Sequence, residues 1–148
     1  MILYLETSRL VKLFFDEEGS AETRDLVGRA DAVAASIVAY TEARAAFARK
    51  RSEQEIRAAE FRSLREDFDR AWGAMFVVGL TEPVVRAAGD LAEKHELRGF
   101  DAIHLASAAA VASATGGAGV LFCTADQKLR AAAKALAATA SAEGLKAV

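Results

Sequence analysis

The feature that most constrains this chain is the apolar run Ile2-Leu3-Tyr4-Leu5, which shows no alternation and stops abruptly at Glu6-Thr7-Ser8. An unalternating run of this length belongs to a strand covered on both faces, and such strands occur in parallel sheets flanked by helices. A carboxylate therefore stands directly beyond a buried strand. Ligands of open parallel sheets bind at the carboxyl ends of the strands, so the residues that converge on Glu6 are the candidates for chemistry.

The rest of the chain supplies the matching pieces. Further strands are expected at Ala32 to Ala35, Met75 to Leu80, Gly119 to Cys123 and, at an edge, Leu145 to Val148. Helical spacing of apolar residues marks Arg9 to Phe15, Ser20 to Ala30, Ile37 to Arg51, a segment carrying Phe61, Leu64, Phe68, Ala71 and Trp72, then Thr81 to Glu96, Ala102 to Ala114 and Lys128 to Ala138. Ser36 is read as the start of the third helix, and within that helix Val38, Glu42, Ala45 and Ala46 share one stripe. Ser52-Glu53-Gln54-Glu55 and Thr124-Ala125-Asp126-Gln127 both fit capping boxes that open helices. Gly116-Gly117 marks a loop. Strands alternating with helices predict an α/β fold with a largely parallel sheet of four or five strands. At 148 residues one domain spanning 1–148 suffices.

Composition narrows the function classes. A formal net charge of −2 provides no global basic field, so contacts to phosphate must come from a local patch. Arg44 to Arg70 holds eight bases against six acids, closer to a solvated helical face than to a phosphate groove. The single Cys123 sits in an apolar run and reads as a small core residue, and the absence of a disulfide framework suits a reducing cytoplasm. No run approaches a membrane span, and the first residues lack the pattern of a signal peptide.

Four acids stand apart, because each follows a strand or lies at the start or on an apolar face of a helix: Glu6, Glu42, Asp101 and Asp126. Gathered together, unpaired carboxylates call for basic partners or a hard cation, and oxygen-only donors suit magnesium or manganese. Each also has a plain alternative. Asp101 and Asp126 stand where an acid gains about 0.3–1 kcal/mol from the helix dipole, Glu6 could precede a helix in the same way, and Glu42 could pair with a base. His104 shares a helix face with Asp101 and reads as a buried, hydrogen-bonded histidine, His95 as a solvated one, and Ser8 and Thr124 as caps or turn residues.

Four segments taken together resemble the signature of PIN-domain proteins, specifically the VapC-like toxin ribonucleases: Ile2-Leu3-Tyr4-Leu5-Glu6-Thr7-Ser8, Ser36-Ile37-Val38-Ala39-Tyr40-Thr41-Glu42-Ala43-Arg44, Gly99-Phe100-Asp101-Ala102-Ile103-His104-Leu105-Ala106, and Thr124-Ala125-Asp126. The resemblance covers the whole chain in order and spacing. It implies a Rossmann-like sheet, hydrolysis of RNA phosphodiester bonds at a magnesium or manganese site, a homodimer and a protein antitoxin as partner. Carried over by position, Glu6, Glu42, Asp101 and Asp126 are the metal-site acids, and Thr124, Ser8 and His104 support them. Arg9 and Arg44, each within three residues of a proposed ligand, are candidates for RNA contacts or for salt bridges that restrain the acids. One position departs from the family pattern: the first acid is ordinarily Asp, whereas Glu6 is longer by one methylene. A displacement near 1 Å at a positioned group can lower a rate about a hundredfold, so a weakened enzyme, or a relative that only binds its antitoxin, is the rival reading. A phospho-acceptor signalling domain also gathers acids at parallel strand ends, but it wants adjacent acids after the first strand and a Lys directly after the last, and both are missing here.

Overall fold

The computed structural model describes residues 1–116, 118–139 and 142–148. Among them, five strands alternate with seven helices. The order is β1 (Ile2–Leu5), α1 (Thr7–Val11), α2 (Ser20–Arg29), β2 (Ala32–Ser36), α3 (Val38–Glu53), α4 (Ala58–Gly73), β3 (Phe76–Val78), α5 (Glu82–His95), α6 (Gly99–Ala114), β4 (Val120–Cys123), α7 (Gln127–Ala137) and β5 (Leu145–Ala147). Every strand pair is parallel, and the sheet order is β3-β2-β1-β4-β5. The expected α/β fold is present, with β1 at its centre and β5 at one edge.

The even hydrophobicity of the first strand follows from that central place. Leu3 and Leu5 enter one core with Phe47 and Phe68, while Tyr4 enters the other with Leu105, Phe122 and Leu129. Ala35 and Ala34 divide between the same two cores, so β2 is also covered on both faces. The chain order doubles back between β1 and β4, and in sheets wound on both sides the crevice at that reversal, outside the carboxyl ends, is the ligand site. Glu6 follows β1 and Asp126 follows β4, so the topology sets these two acids at that crevice.

Several local readings change. The capping box expected at Ser52 to Glu55 opens no helix: Ser52 and Glu53 end α3, Glu55 takes a positive φ of 52°, and Ile56 N–H donates to the Arg51 carbonyl at 3.2 Å. That bond closes the C-terminus of α3 in the manner of a Schellman turn, and α4 starts later, at Ala58. In the second box the N-cap is Asp126, whose side chain accepts from Leu129 N–H, because Thr124 is drawn to Glu6. Ser36 ends β2 instead of starting α3, and Gly19, not Ser20, precedes α2, with φ of 83°. The buried stripe of α3 is Ala39, Ala43 and Phe47, which leaves Glu42 half-buried at its margin. His95 is half-buried rather than solvated. Gly117 of the expected loop lies outside the described residues.

The apolar stripe of α4 is turned inward. Phe68 is fully buried, with ring centroids 5.1 Å from Phe47, 5.3 Å from Tyr40 and 5.5 Å from Phe14, and Phe61, Leu64 and Trp72 pack on the same core. The stripe therefore belongs to the domain's own interior and not to an exposed dimer or antitoxin surface. Phe68→Ala should destabilise the fold by about 3–5 kcal/mol, the range for deleting a buried aromatic ring, and Phe68→Glu should prevent folding. Urea unfolding measures the first and circular dichroism the second; an unchanged urea midpoint for Phe68→Ala would remove the ring from the core.

Candidate active site

Glu6 is the centre of the site. Its N–H donates to the Cys123 carbonyl at 3.0 Å, continuing the β1–β4 ladder one residue past the strand. Its carbonyl accepts from Arg9 and Leu10 N–H at 3.0 Å, and its side chain caps α1 by accepting from Ser8 N–H at 3.1 Å. The same carboxylate accepts from the Ser8 hydroxyl and, at 2.9 Å, from the Thr124 hydroxyl. It is 6% exposed, and this set of donors makes burial of the charge tolerable. Ser8 Oγ in turn accepts from Ala125 N–H at 2.9 Å, and Thr124 Oγ1 from Asp126 N–H at 3.1 Å. Ser8 and Thr124, expected as supporting residues, thus pin the exit of β1 to the exit of β4.

A second chain of bonds leads to Glu42. Burial, assisted by the charges of Glu6 and Glu42, pushes the Tyr4 phenol far above its usual range, so its hydroxyl remains a donor. It stands 3.2 Å from His104 Nδ1, and the other ring nitrogen, Nε2, stands 2.7 Å from Glu42 Oε2. The Thr7 hydroxyl also donates to Glu42 Oε2, at 2.7 Å, and lies 3.1 Å from His104 Nε2. Burial alone would raise the Glu42 carboxyl, but the bonds from His104 and Thr7 outweigh it and hold the group below its ordinary value. His104 is 1% exposed, as its sequence context implied, and its role is to orient an acid.

Asp101 lies one helical turn before His104 on α6. Its carboxyl is pushed above the ordinary value, first by burial and then by the charge of Glu6, with a lesser push from Asp126, against the pull of Arg98, whose Nε is 3.8 Å away, and of His104. A carboxyl raised by acidic neighbours in this way favours a cation. Glu6, Asp101 and Asp126 are therefore within electrostatic reach of one another. Glu42 shares with Glu6 a cavity of about 500 Å³ that Thr7, Ser8, Lys12, Glu17 and Arg49 also line and that neither Asp101 nor Asp126 enters. Among the described residues, no three His, Cys, Asp or Glu side chains already stand together closely enough to hold a metal ion.

The two expected bases behave differently. Arg44 is turned to Tyr40, donating to its hydroxyl at 2.8 Å, and makes no bond to a site acid. Arg9 is buried behind the site, donating to Glu22 at 2.7 Å and lying 3.4 Å from Thr23 Oγ1. Neither restrains a proposed metal ligand. Thr7, Tyr4 and Arg49 were not legible as site residues: Tyr4 read as part of a strand, Arg49 as one charge in a mixed run, and only the position of Thr7 between Glu6 and Ser8 pointed to it.

Comparison with known proteins gives the family. The PIN domain family matches residues 3–135. Two proteins from strains of Mycobacterium tuberculosis, Ribonuclease VapC45 and Ribonuclease VapC49, are each 37% identical over 134 residues, covering 90% of this chain and 90% of theirs. Among solved structures, VapBC2 from Rickettsia felis bound to a promoter DNA fragment superposes with a TM-score of 0.64 at 12% identity, covering 100% of this chain and 98% of that one. PAE2754 from Pyrobaculum aerophilum gives 0.61 at 18% identity, covering 99% and 83%. A toxin-antitoxin complex from Klebsiella pneumoniae gives 0.57 at 16% identity, covering 86% and 88%. At those identities the structures speak for the fold alone, whereas the family match and the two ribonucleases settle kinship. With its acids at the carboxyl ends of a parallel sheet, the chain belongs to the PIN domain family, among its VapC-like members.

Proposed function

We propose that this chain is the toxin of a toxin-antitoxin pair, an endoribonuclease that hydrolyses RNA phosphodiester bonds with the help of magnesium or manganese. The observation that carries the reading is the Asp101 carboxyl set near Glu6 and Asp126 at the β1–β4 reversal and raised by burial and by their charges, in a chain 37% identical to VapC ribonucleases over 90% of its length. The donors are carboxylate oxygens throughout, which suits a hard divalent cation, and the elevated Asp101 carboxyl is what such a cation would relieve. Asp101, Asp126 and Glu6 would hold it, with Glu42 completing the set. When bound, the cation polarises the phosphoryl group and lowers the pKa of an attacking water.

The protein's own contribution is positioning. Asp126 is held by its cap bond to Leu129 N–H at 2.7 Å, which uses Oδ1. Glu42 is fixed through Oε2 by His104 and Thr7. Glu6 is the least available of the acids, because its oxygens already receive the Ser8 and Thr124 donors. An Asp at this place would be drawn back by one methylene from those donors. This supports the reading that Glu6 weakens turnover. An antitoxin protein is the proposed partner and a homodimer the proposed assembly; of the large apolar side chains left exposed, Phe76, Leu80 and Val85 lie on or after the edge strand β3, Met1, Ile37, Phe100 and Val148 lie elsewhere, and none is on α4.

A carboxyl whose native pKa is raised favours folding below that pKa and opposes it as the pH rises through it, so above that pKa the charge of Asp101 is a burden on the metal-free protein. Asp101→Asn should therefore melt slightly above the parent in EDTA, by less than about 1 kcal/mol because the side chain is partly solvated, and should lose the parent's rise in melting temperature with manganese. A lower melting temperature for the variant in EDTA would refute the like-charge account.

Single-turnover cleavage of a structured RNA in manganese tests the role of Glu6. Glu6→Asp should be on the order of ten- to a hundredfold faster than the parent, and Glu6→Gln slower than both. Equal rates for parent and Glu6→Asp would show that the longer arm is tolerated, and equal rates for all three would take Glu6 out of the mechanism.

A further inference from the structure

A second cavity adjoins the carboxylates and has the opposite character. Of about 410 Å³, it is lined by Arg9, Lys12, Arg130, Glu18, Glu22, Gly19 and Ala125. Lys12 lines this cavity and the acidic one alike, so the two lie on either side of a single side chain. Ala125 separates Thr124, which is bonded to Glu6, from Asp126. Arg130 stands one turn into α7, its N–H donating to the Asp126 carbonyl at 2.9 Å.

The basic groups are held in place and incompletely used. Arg130 donates through Nη2 to the Thr124 carbonyl at 2.8 Å and, among the described residues, has no acidic partner. Its Nε and that of Arg9 are buried without any hydrogen-bond acceptor. Gly19, at φ of 83°, leaves room for the cationic heads: a Cβ there would lie 3.1 Å from Arg9 Nη1 and 3.5 Å from Lys12 Nζ. The acid facing Arg9 is Glu22, at 2.7 Å, and its side chain is 59% exposed, so it can leave without burial to undo. Lys12 donates to the Glu18 carbonyl and lies 3.9 Å from the Glu17 carboxylate.

We infer that this cavity is a phosphate subsite that takes a backbone phosphate of the RNA strand beside the one being cleaved, with Arg130 and Lys12 as its primary contacts and Glu22 as a placeholder that releases Arg9 to the strand. The inference rests on the ribonuclease reading and names where its polyanionic substrate is gripped. The physical need is plain: acids that attract a cation repel the rest of an RNA backbone, and a chain of net charge −2 must offset that repulsion locally. A cavity in which three bases outnumber two acids, next to the acidic one, does so. Guanidinium groups suit it because their forked donors match phosphate oxygens.

The test is fluorescence-anisotropy binding of a labelled single-stranded RNA in EDTA, over a range of salt, with manganese-dependent cleavage measured in parallel. Arg130→Gln and Lys12→Gln should each weaken binding about three- to tenfold at low salt and reduce the salt slope by about 0.7, the value for one single-strand phosphate contact. Glu22→Gln should tighten binding, and more than Glu60→Gln, which makes the same change of charge on α4 outside both cavities. Glu22 is exposed, so its variant keeps the fold and the test does not depend on removing a buried base. Parent-like affinity and slope for Arg130→Gln and Lys12→Gln, in a parent that binds and cleaves RNA, would overturn the subsite alone. A parent that neither binds nor cleaves RNA would overturn the ribonuclease reading and the subsite together. Equal tightening by Glu22→Gln and Glu60→Gln would reduce Glu22 to a general charge effect and remove its placeholder role.

Discussion

The structure turns on one buried carboxylate that cannot be left without donors. Glu6 ends the central strand, begins α1 and meets β4 through Thr124, so its charge is satisfied only if all three elements are in register. Burying such a group without partners would be strongly unfavourable, and this makes the junction specific: a slip of β1 against β4 would separate Glu6 from Cys123 and Thr124 at once. The acid that resembles a metal ligand is also the cap and the clasp of the fold.

That double use explains the division of labour among the other acids. Glu42 is steadied from behind by a buried relay, Tyr4 to His104, whose polar atoms all find partners in the interior. Asp101 has only a distant Arg98 and is left to feel Glu6 and Asp126. Repulsion is concentrated on one residue, and the fold tolerates it there because that side chain is partly solvated. Beside this crevice Arg9, Lys12 and Arg130 outnumber Glu18 and Glu22 in an adjoining cavity, so a local excess of positive charge stands next to the acids in a chain whose total charge is close to zero.

The local misreadings share one cause. Ser52 to Glu55 carries the letters of a helix start, yet its backbone finishes α3, because Glu55 turns left-handed and the Gln54 and Ile56 N–H groups close the last carbonyls. Thr124 has the letters of a cap, but its hydroxyl is claimed by Glu6, 118 residues earlier in the chain, and the cap passes to Asp126. The inward stripe of α4 was readable as a stripe and not as to what would cover it, since Phe14, Tyr40 and Phe47 reach it from other helices and loops. Arg9 and Arg44 were singled out by nearness in sequence to an acid, and nearness along a helix does not set the direction in which a long side chain extends.

Sequence alone determined the alternation of strands and helices, the central burial of Ile2 to Leu5, and the places of Glu6 and Asp126 just past buried strands. Those properties are local: they follow from apolar periodicity and from the place where an apolar run stops. The tertiary structure decided which groups meet: Thr124 with Glu6, His104 with Tyr4 and Glu42, and Arg130 with the cavity that Lys12 shares. It also decided that Glu6 is committed to Ser8 and Thr124 while Asp101 is not. Hydrogen bonds and like-charge repulsion act over a few ångströms in space between residues far apart in the chain, and only the folded sheet brings those residues within range.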